Sequence, residues 1–143
     1  MTAAPRLLLS LAALLAFVAA ARAETINLSG DLKAANEVPP NSSPATGHVD
    51  AVFDTTNQEL SWTVTYSNLT GPATGAHFHG PSEQGKNAGI ILPFKTVQSP
   101  IQGTATIPAN QVDDMLAGKW YANIHTSQNP GGEIRGQLLK KTP

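Results

Sequence analysis

The sequence predicts an all-β protein: an antiparallel sandwich or Greek-key barrel with one short helix near Asn110–Ala117. Three observations carry that prediction. Apolar and polar residues alternate with period two along several stretches, turn-forming clusters separate those stretches, and a single segment has helical spacing.

The first alternating stretch, INLSGDL, places Ile26, Leu28, Gly30 and Leu32 on one face and Asn27, Ser29 and Asp31 on the other. In ATGHVDAVFD, Gly47, Val49, Ala51 and Phe53 fall together, opposite Thr46, His48, Asp50 and Asp54. LSWTVTYS sets Leu60, Trp62, Val64 and Tyr66 against Ser61, Thr63 and Thr65. Alternation rich in β-branched and aromatic residues marks half-buried strands, because successive side chains point to opposite faces of a sheet. EVPPNSSP (Glu37–Pro44), TTNQ (Thr55–Gln58) and NLTGPATG (Asn68–Gly75) supply the turns between them.

Further strands are expected near Gly89–Phe94, Ile101–Ile107, Lys119–Thr126 and Gly132–Leu139, giving about eight in all. The helix is PANQVDDMLAGK, with Asn110 as its cap, Val112, Met115 and Leu116 on one face, and Gly118 as its stop. GPSEQGKNAG, Gly80–Gly89, reads as a mobile loop; no helical pattern follows it, so it is not a phosphate cradle.

Residues 1–23 read as a secretory signal peptide. One arginine, Arg6, precedes the apolar run Leu7–Ala20, and Ala21-Arg22-Ala23 supplies small residues at a cleavage site. The expected mature chain, residues 24–143, is one domain, exported to the periplasm or the extracellular space, with no membrane span after signal cleavage. No cysteine is present, so no disulfide braces it. The formal net charge of −1 becomes −3 once Arg6 and Arg22 leave with the signal. The remaining basic residues form no stripe, which argues against a nucleic-acid partner.

The chain has four histidines. In GAHFHG, Ala76 and Phe78 face one way and His77 and His79 the other; in YANIHTS, His125 shares a face with Tyr121 and Asn123. Two imidazoles at i and i+2 on a strand, with a third from another strand, suit a single Zn²⁺ or Cu²⁺ ion at nitrogen distances of about 2.0–2.1 Å. His77, His79 and His125 are therefore the candidate metal ligands. His48, beside Asp50, is a fourth candidate or a solvated side chain. Because only neutral imidazole binds metal, such a site is expected to weaken below about pH 6. The competing reading is that these histidines contact water or hydrogen-bond backbone carbonyls.

Glu133 and Arg135, on one face of the NPGGEIRGQL hairpin, are expected to pair with each other. Alternatively, Glu133 accepts the free ring N–H of a metal-bound histidine. No nucleophile-elbow motif or cysteine nucleophile is present, and no general base accompanies the histidines, so an enzyme is the least supported class. Asn41-Ser42-Ser43 and Asn68-Leu69-Thr70 match the glycosylation pattern.

NEVPP, SPATGHVDAVFD, WTVTYSNLTGPATGAHFHGP and AGKWYANIHTSQNPGGEIRGQL, in that order, resemble the CHRD domain, the module repeated in chordin and found singly in many exported bacterial proteins. The resemblance runs from about Leu28 to Leu138. It implies an immunoglobulin-like or Greek-key β fold and includes the segments that carry His77, His79 and His125. It implies no activity for a single-domain member. GAHFHG is also similar, more loosely, to the H-x-H strand of copper-zinc superoxide dismutase. Four histidines and no cysteine cannot build that family's two-metal site and disulfide. Two functional expectations follow: a module holding one copper (or zinc) ion, or a structural, adhesive or protein-interaction β-domain whose partner is another extracytoplasmic protein.

Overall fold

The computed structural model describes residues 24–142; the expected signal peptide lies outside the described residues. Among the described residues nine strands form one antiparallel sheet: β1 (Thr25–Lys33), β2 (Thr46–Asp54), β3 (Glu59–Ser67), β4 (Ala73–His79), β5 (Ile90–Pro93), β6 (Ile101–Thr106), β7 (Tyr121–Thr126), β8 (Ile134–Gln137) and β9 (Leu139–Lys140). A 3₁₀ turn, Ala34–Asn36, follows β1, and one helix, α1 (Ala109–Leu116), precedes β7. The lateral order is β5-β4-β7-β8-β1-β2-β3-β6, with β9 also paired to β1.

The all-β, single-helix expectation holds, as one sheet curled into a half-barrel. The curl is read from contacts between strands far apart in the lateral order. Trp62 of β3 meets Phe78 of β4 edge-to-face at 5.5 Å, and Phe94, just after β5, packs on both rings. Aromatic pairs at this spacing add to the gain from burying their area.

The meander β1-β2-β3 pairs in full register from Thr25↔Asp54 to Lys33↔Thr46 and from Thr46↔Ser67 to Asp54↔Glu59. Its inward residues are the ones the alternation selects: Leu28, Leu32, Val49, Ala51, Phe53, Leu60, Trp62 and Val64 are buried. Helix α1 buries Met115 and ends where Gly118 takes φ +77, which only glycine adopts freely. Its N-terminal flank is Pro108 and no side chain caps it, so Asn110 is not the cap: it already lies inside the first turn. Among the described residues no helix is long and apolar enough to cross a membrane.

One sequence expectation fails in an informative way. On β4, β7 and β8 much of the polar face is covered: His79, Tyr121, Asn123 and Arg135 are buried, and His77 and His125 are half-buried. Two loops cover that face. Residues 34–45 deliver Glu37 to Asn123 (2.5 Å) and Arg135 (Nη2 to Oε2, 2.9 Å), and Asn41 to the Glu133 carbonyl. The loop after β4 receives the Arg135 guanidinium on the Lys86 carbonyl and Asn87 Oδ1, while Asn87 Nδ2 donates to the Val38 carbonyl of the other loop. The Gly80–Gly89 loop expected to be mobile is thus tied at Gly80, Ser82, Lys86, Asn87 and Ala88. Gly132, at φ +128, makes this closure possible, since a Cβ there would strike Asn123 Nδ2 and Glu37 Oε1.

Candidate metal centre

The site is built by the register of β4 on β7, in which Gly75 pairs with His125, His77 with Asn123, and His79 with Tyr121. On one face this gives the row Gly75, His77, His79 beside the row His125, Asn123, Tyr121. His125 lies diagonally across from His77, and opposite a residue with no side chain, so its ring is free to lean toward its neighbours. Phe78, pointing the other way between the two histidines, is fully buried among Trp62, Phe94 and Trp120 and fixes the strand that carries them.

The three imidazoles converge. Ring centroids are 4.9 Å apart for His77 and His125, 5.6 Å for His77 and His79, and 6.0 Å for His79 and His125. One nitrogen from each ring lies within 4.8 Å of the others. His79 is buried and the other two rings are half-buried.

Tautomers follow from the hydrogen bonds. His79 Nδ1 lies 3.0 Å from the Ala88 carbonyl and His125 Nδ1 3.0 Å from the Pro130 carbonyl. A carbonyl only accepts, so both Nδ1 atoms carry the proton and both Nε2 lone pairs are left free. Those two Nε2 atoms, together with His77 Nδ1, are buried without any hydrogen-bond partner. Buried polar atoms are ordinarily paired, so three unpaired ring nitrogens around one small space are an exception that calls for a partner.

The rings are also held neutral. Burial lowers the pKa of His77 to about 4, helped by the neighbouring His125 and His79 rings. Burial lowers His79 too, against the opposing pull of the Ala88 carbonyl, with His125 and Arg135 adding to the decrease. For His125, burial again lowers the value, the Pro130 carbonyl opposes it, and Arg135 assists. All three offer lone pairs at neutral pH without first losing a proton.

His79 is locked further by a stack. Its ring lies parallel to Tyr121 (2°, centroids 4.8 Å), and the Arg135 guanidinium covers the Tyr121 ring, Cζ lying 4.1 Å from its centroid. The Tyr121 hydroxyl accepts from Ala88 N–H and donates to the Ala88 carbonyl, which also receives His79.

Two sequence candidates stand elsewhere. His48, on β2, is held between Asp31 (2.7 Å) and Asp50 (3.5 Å) and is not part of the three-ring cluster; its two nitrogens are engaged on opposite sides. Glu133 serves neither role foreseen for it. Its carboxylate accepts Ser43 Oγ, Thr126 Oγ1, Thr70 Oγ1 and Thr70 N–H, whereas Arg135 pairs with Glu37. The ring N–H groups find carbonyls instead. Tyr121 and Asn123 share a face with His125 in the sequence pattern, but Glu37 and Ala88 lie in loops whose arrival over that face leaves no periodic signal.

A curled antiparallel sheet whose polar face is roofed by two loops, with three imidazoles gathered at one end, defines an all-β domain bearing a histidine cluster. The chain belongs to the CHRD domain family, whose model matches residues 28–138. Neither a curated protein nor a solved structure matches the chain.

Proposed function

We propose that this protein is an exported binding module that holds one transition-metal ion, copper in preference to zinc, through His77, His79 and His125. The observation that carries this reading is the convergence of three neutral imidazoles whose ligand nitrogens lie within 4.8 Å of one another. Three atoms so spaced lie within about 2.8 Å of a common point, so each ring closes by at most about 0.7 Å to reach a metal–nitrogen distance of about 2.0–2.1 Å. An all-nitrogen donor set with no thiolate or carboxylate favours Cu²⁺ over Zn²⁺ in the usual affinity order. The leader pattern of residues 1–23 and the extracellular habit of CHRD domains support export.

Titration of the purified protein with Cu²⁺ and with Zn²⁺ tests this reading. One equivalent of copper is expected to bind, outcompeting zinc, and uptake is expected to disappear in His77→Ala and in His125→Ala. No uptake at micromolar copper, or uptake indifferent to both substitutions, refutes it. A second reading, a structural or protein-interaction domain, draws on the bonds from His79 and His125 to the Ala88 and Pro130 carbonyls, which tie loops down without any ion. That reading expects the alanine variants to melt earlier and the wild type to ignore metal.

A further inference from the structure

We propose that the side-chain carbonyl of Asn123 is the ion's fourth ligand, closing a site of three histidines and one amide oxygen whose donor atoms are all buried; this rests on the metal reading above. The register puts Asn123 in the middle of the cluster. It pairs directly with His77, lies diagonally across from His79, and stands two residues before His125 on the same face. Side chains so placed are the ones that meet on the surface of a sheet. Asn123 is only 1% exposed, so its amide has to find its partners inside the protein.

One half of that amide is satisfied and the other is not. Nδ2 donates to Glu37 Oε1, and Arg135 holds Glu37 in place. A carboxylate only accepts, so the amide is not free to turn round, and Oδ1 faces away from Glu37. Oδ1 is buried with no hydrogen-bond partner. Among the described residues six buried side-chain nitrogen or oxygen atoms lack a partner. Two are the indole nitrogens of Trp62 and Trp120; the other four are Asn123 Oδ1 and the ring nitrogens of His77, His79 and His125. Burial lowers the His79 pKa, and Asn123, like the Ala88 carbonyl, draws it back upward, as an acceptor beside that ring does. The free nitrogen of His79 is itself a lone pair, so two acceptors meet there with no hydrogen between them. A cation satisfies both. Four protein donors are what a closed metal site needs, in contrast to an open one that keeps a position for water. The hydrogen bond from Nδ2 to a carboxylate also shifts electron density onto Oδ1, as partners standing behind metal ligands do.

The test is electron–nuclear double resonance on the copper(II)-loaded protein, prepared with asparagine carrying carbon-13 at the side-chain carbonyl. A coupled carbon about 3 Å from copper is expected, the distance of a carbonyl carbon behind a bound oxygen. Asn123→Leu, close to asparagine in size and without a donor, is expected to lose that coupling and to bind copper at least tenfold more weakly. Should the leucine variant fail to fold, the wild-type spectrum decides alone. No such coupling in the loaded wild type, or undiminished copper affinity in a folded leucine variant, overturns the proposal and leaves the copper reading standing. Failure of the wild type to take up copper overturns both.

Discussion

Glu133→Gln removes one negative charge and almost no volume from a side chain that is fully buried. Burial alone would raise the pKa of this carboxyl, but hydrogen bonds from Ser43 (2.5 Å), Thr126 (2.5 Å) and Thr70, whose backbone and hydroxyl both donate at 2.8 Å, outweigh it and bring the value to about 2. Holding a carboxyl at about 2 instead of 4.5 corresponds to about 3 kcal/mol, at about 1.4 kcal/mol per pH unit. Screening by solvent just beyond the Ser43 and Thr70 loops reduces this to about 2 kcal/mol. A depressed acid stabilises the fold fully above its unfolded value, near 4.5, and that contribution disappears as pH falls toward 2. Urea unfolding at pH 7 is therefore expected to show a loss of about 2 kcal/mol in the glutamine variant, and the gap to wild type is expected to narrow below about pH 4.5 and to close only as the pH reaches about 2. Copper affinity is expected to change less than about threefold, whereas a group holding a ligand histidine in place would cost about 10–100-fold. A stability loss under about 0.5 kcal/mol, or a gap that persists unchanged at low pH, would refute this account of Glu133.

Arg135→Met leaves Glu37 as an uncompensated buried carboxylate and is expected to cost about 3–5 kcal/mol by chemical denaturation, with much of that regained in Glu37→Gln/Arg135→Met. The pKa of Glu37 is already raised by burial, with Arg135 opposing the rise, so removing the arginine drives it further up. The depressed histidines give the opposite acid limb from a salt-bridged imidazole: the unfolded chain takes up protons from about pH 6.5 downward while folded His77 stays neutral until about 4. Apo-protein melting temperature is thus expected to fall between pH 6.5 and 4, less steeply in His77→Ala, and ring proton NMR to place the His77 midpoint near 4. The onset of acid release of metal shifts correspondingly below the pH of about 6 expected of ordinary histidines. Gly132→Ala combines backbone strain at φ +128 with a methyl driven into Glu37 and Asn123, and is expected to lower stability by about 2 kcal/mol or more in a thermal melt.

The strands were legible because alternation reports which residues avoid water, and β1, β2 and β3 place them inside as the pattern requires. The same pattern misled on β4, β7 and β8. Period two separates apolar from polar faces, but Tyr121, Asn123 and Arg135 show that a polar face is also buried when it finds enough hydrogen bonds. Their partners, Glu37 and Asn87, come from loops remote in the chain, and nothing local announces such a meeting. The pairing of Glu133 with Arg135 failed for that reason: Ser43 and Thr70 draw in the first, and Glu37, Lys86 and Asn87 the second, all from loops. The three rings meet because H-x-H fixes two of them on one face and the alternation in YANIHTS places the third on the matching face of the next strand. His48 obeyed the same rule on a different part of the sheet, where lying on a polar side does not mean sharing a location. The helix boundary missed by a residue because Pro108, with its preset φ, starts the turn without a side-chain cap.

Of the nine strands among the described residues, β1 leaves the ribosome first and lies mid-sheet, bordered by β2 on one side and by β8 and β9 on the other. Its two flanks consequently become available at very different moments of translation. A β1-β2-β3 hairpin stack is able to assemble early, but Leu28 and Lys33 wait for Lys140 and Arg135 before their second side is closed. Such long-range closure is intrinsically slow. A sheet built this way stays unfinished on the far side of β1 until β8 and β9 are free.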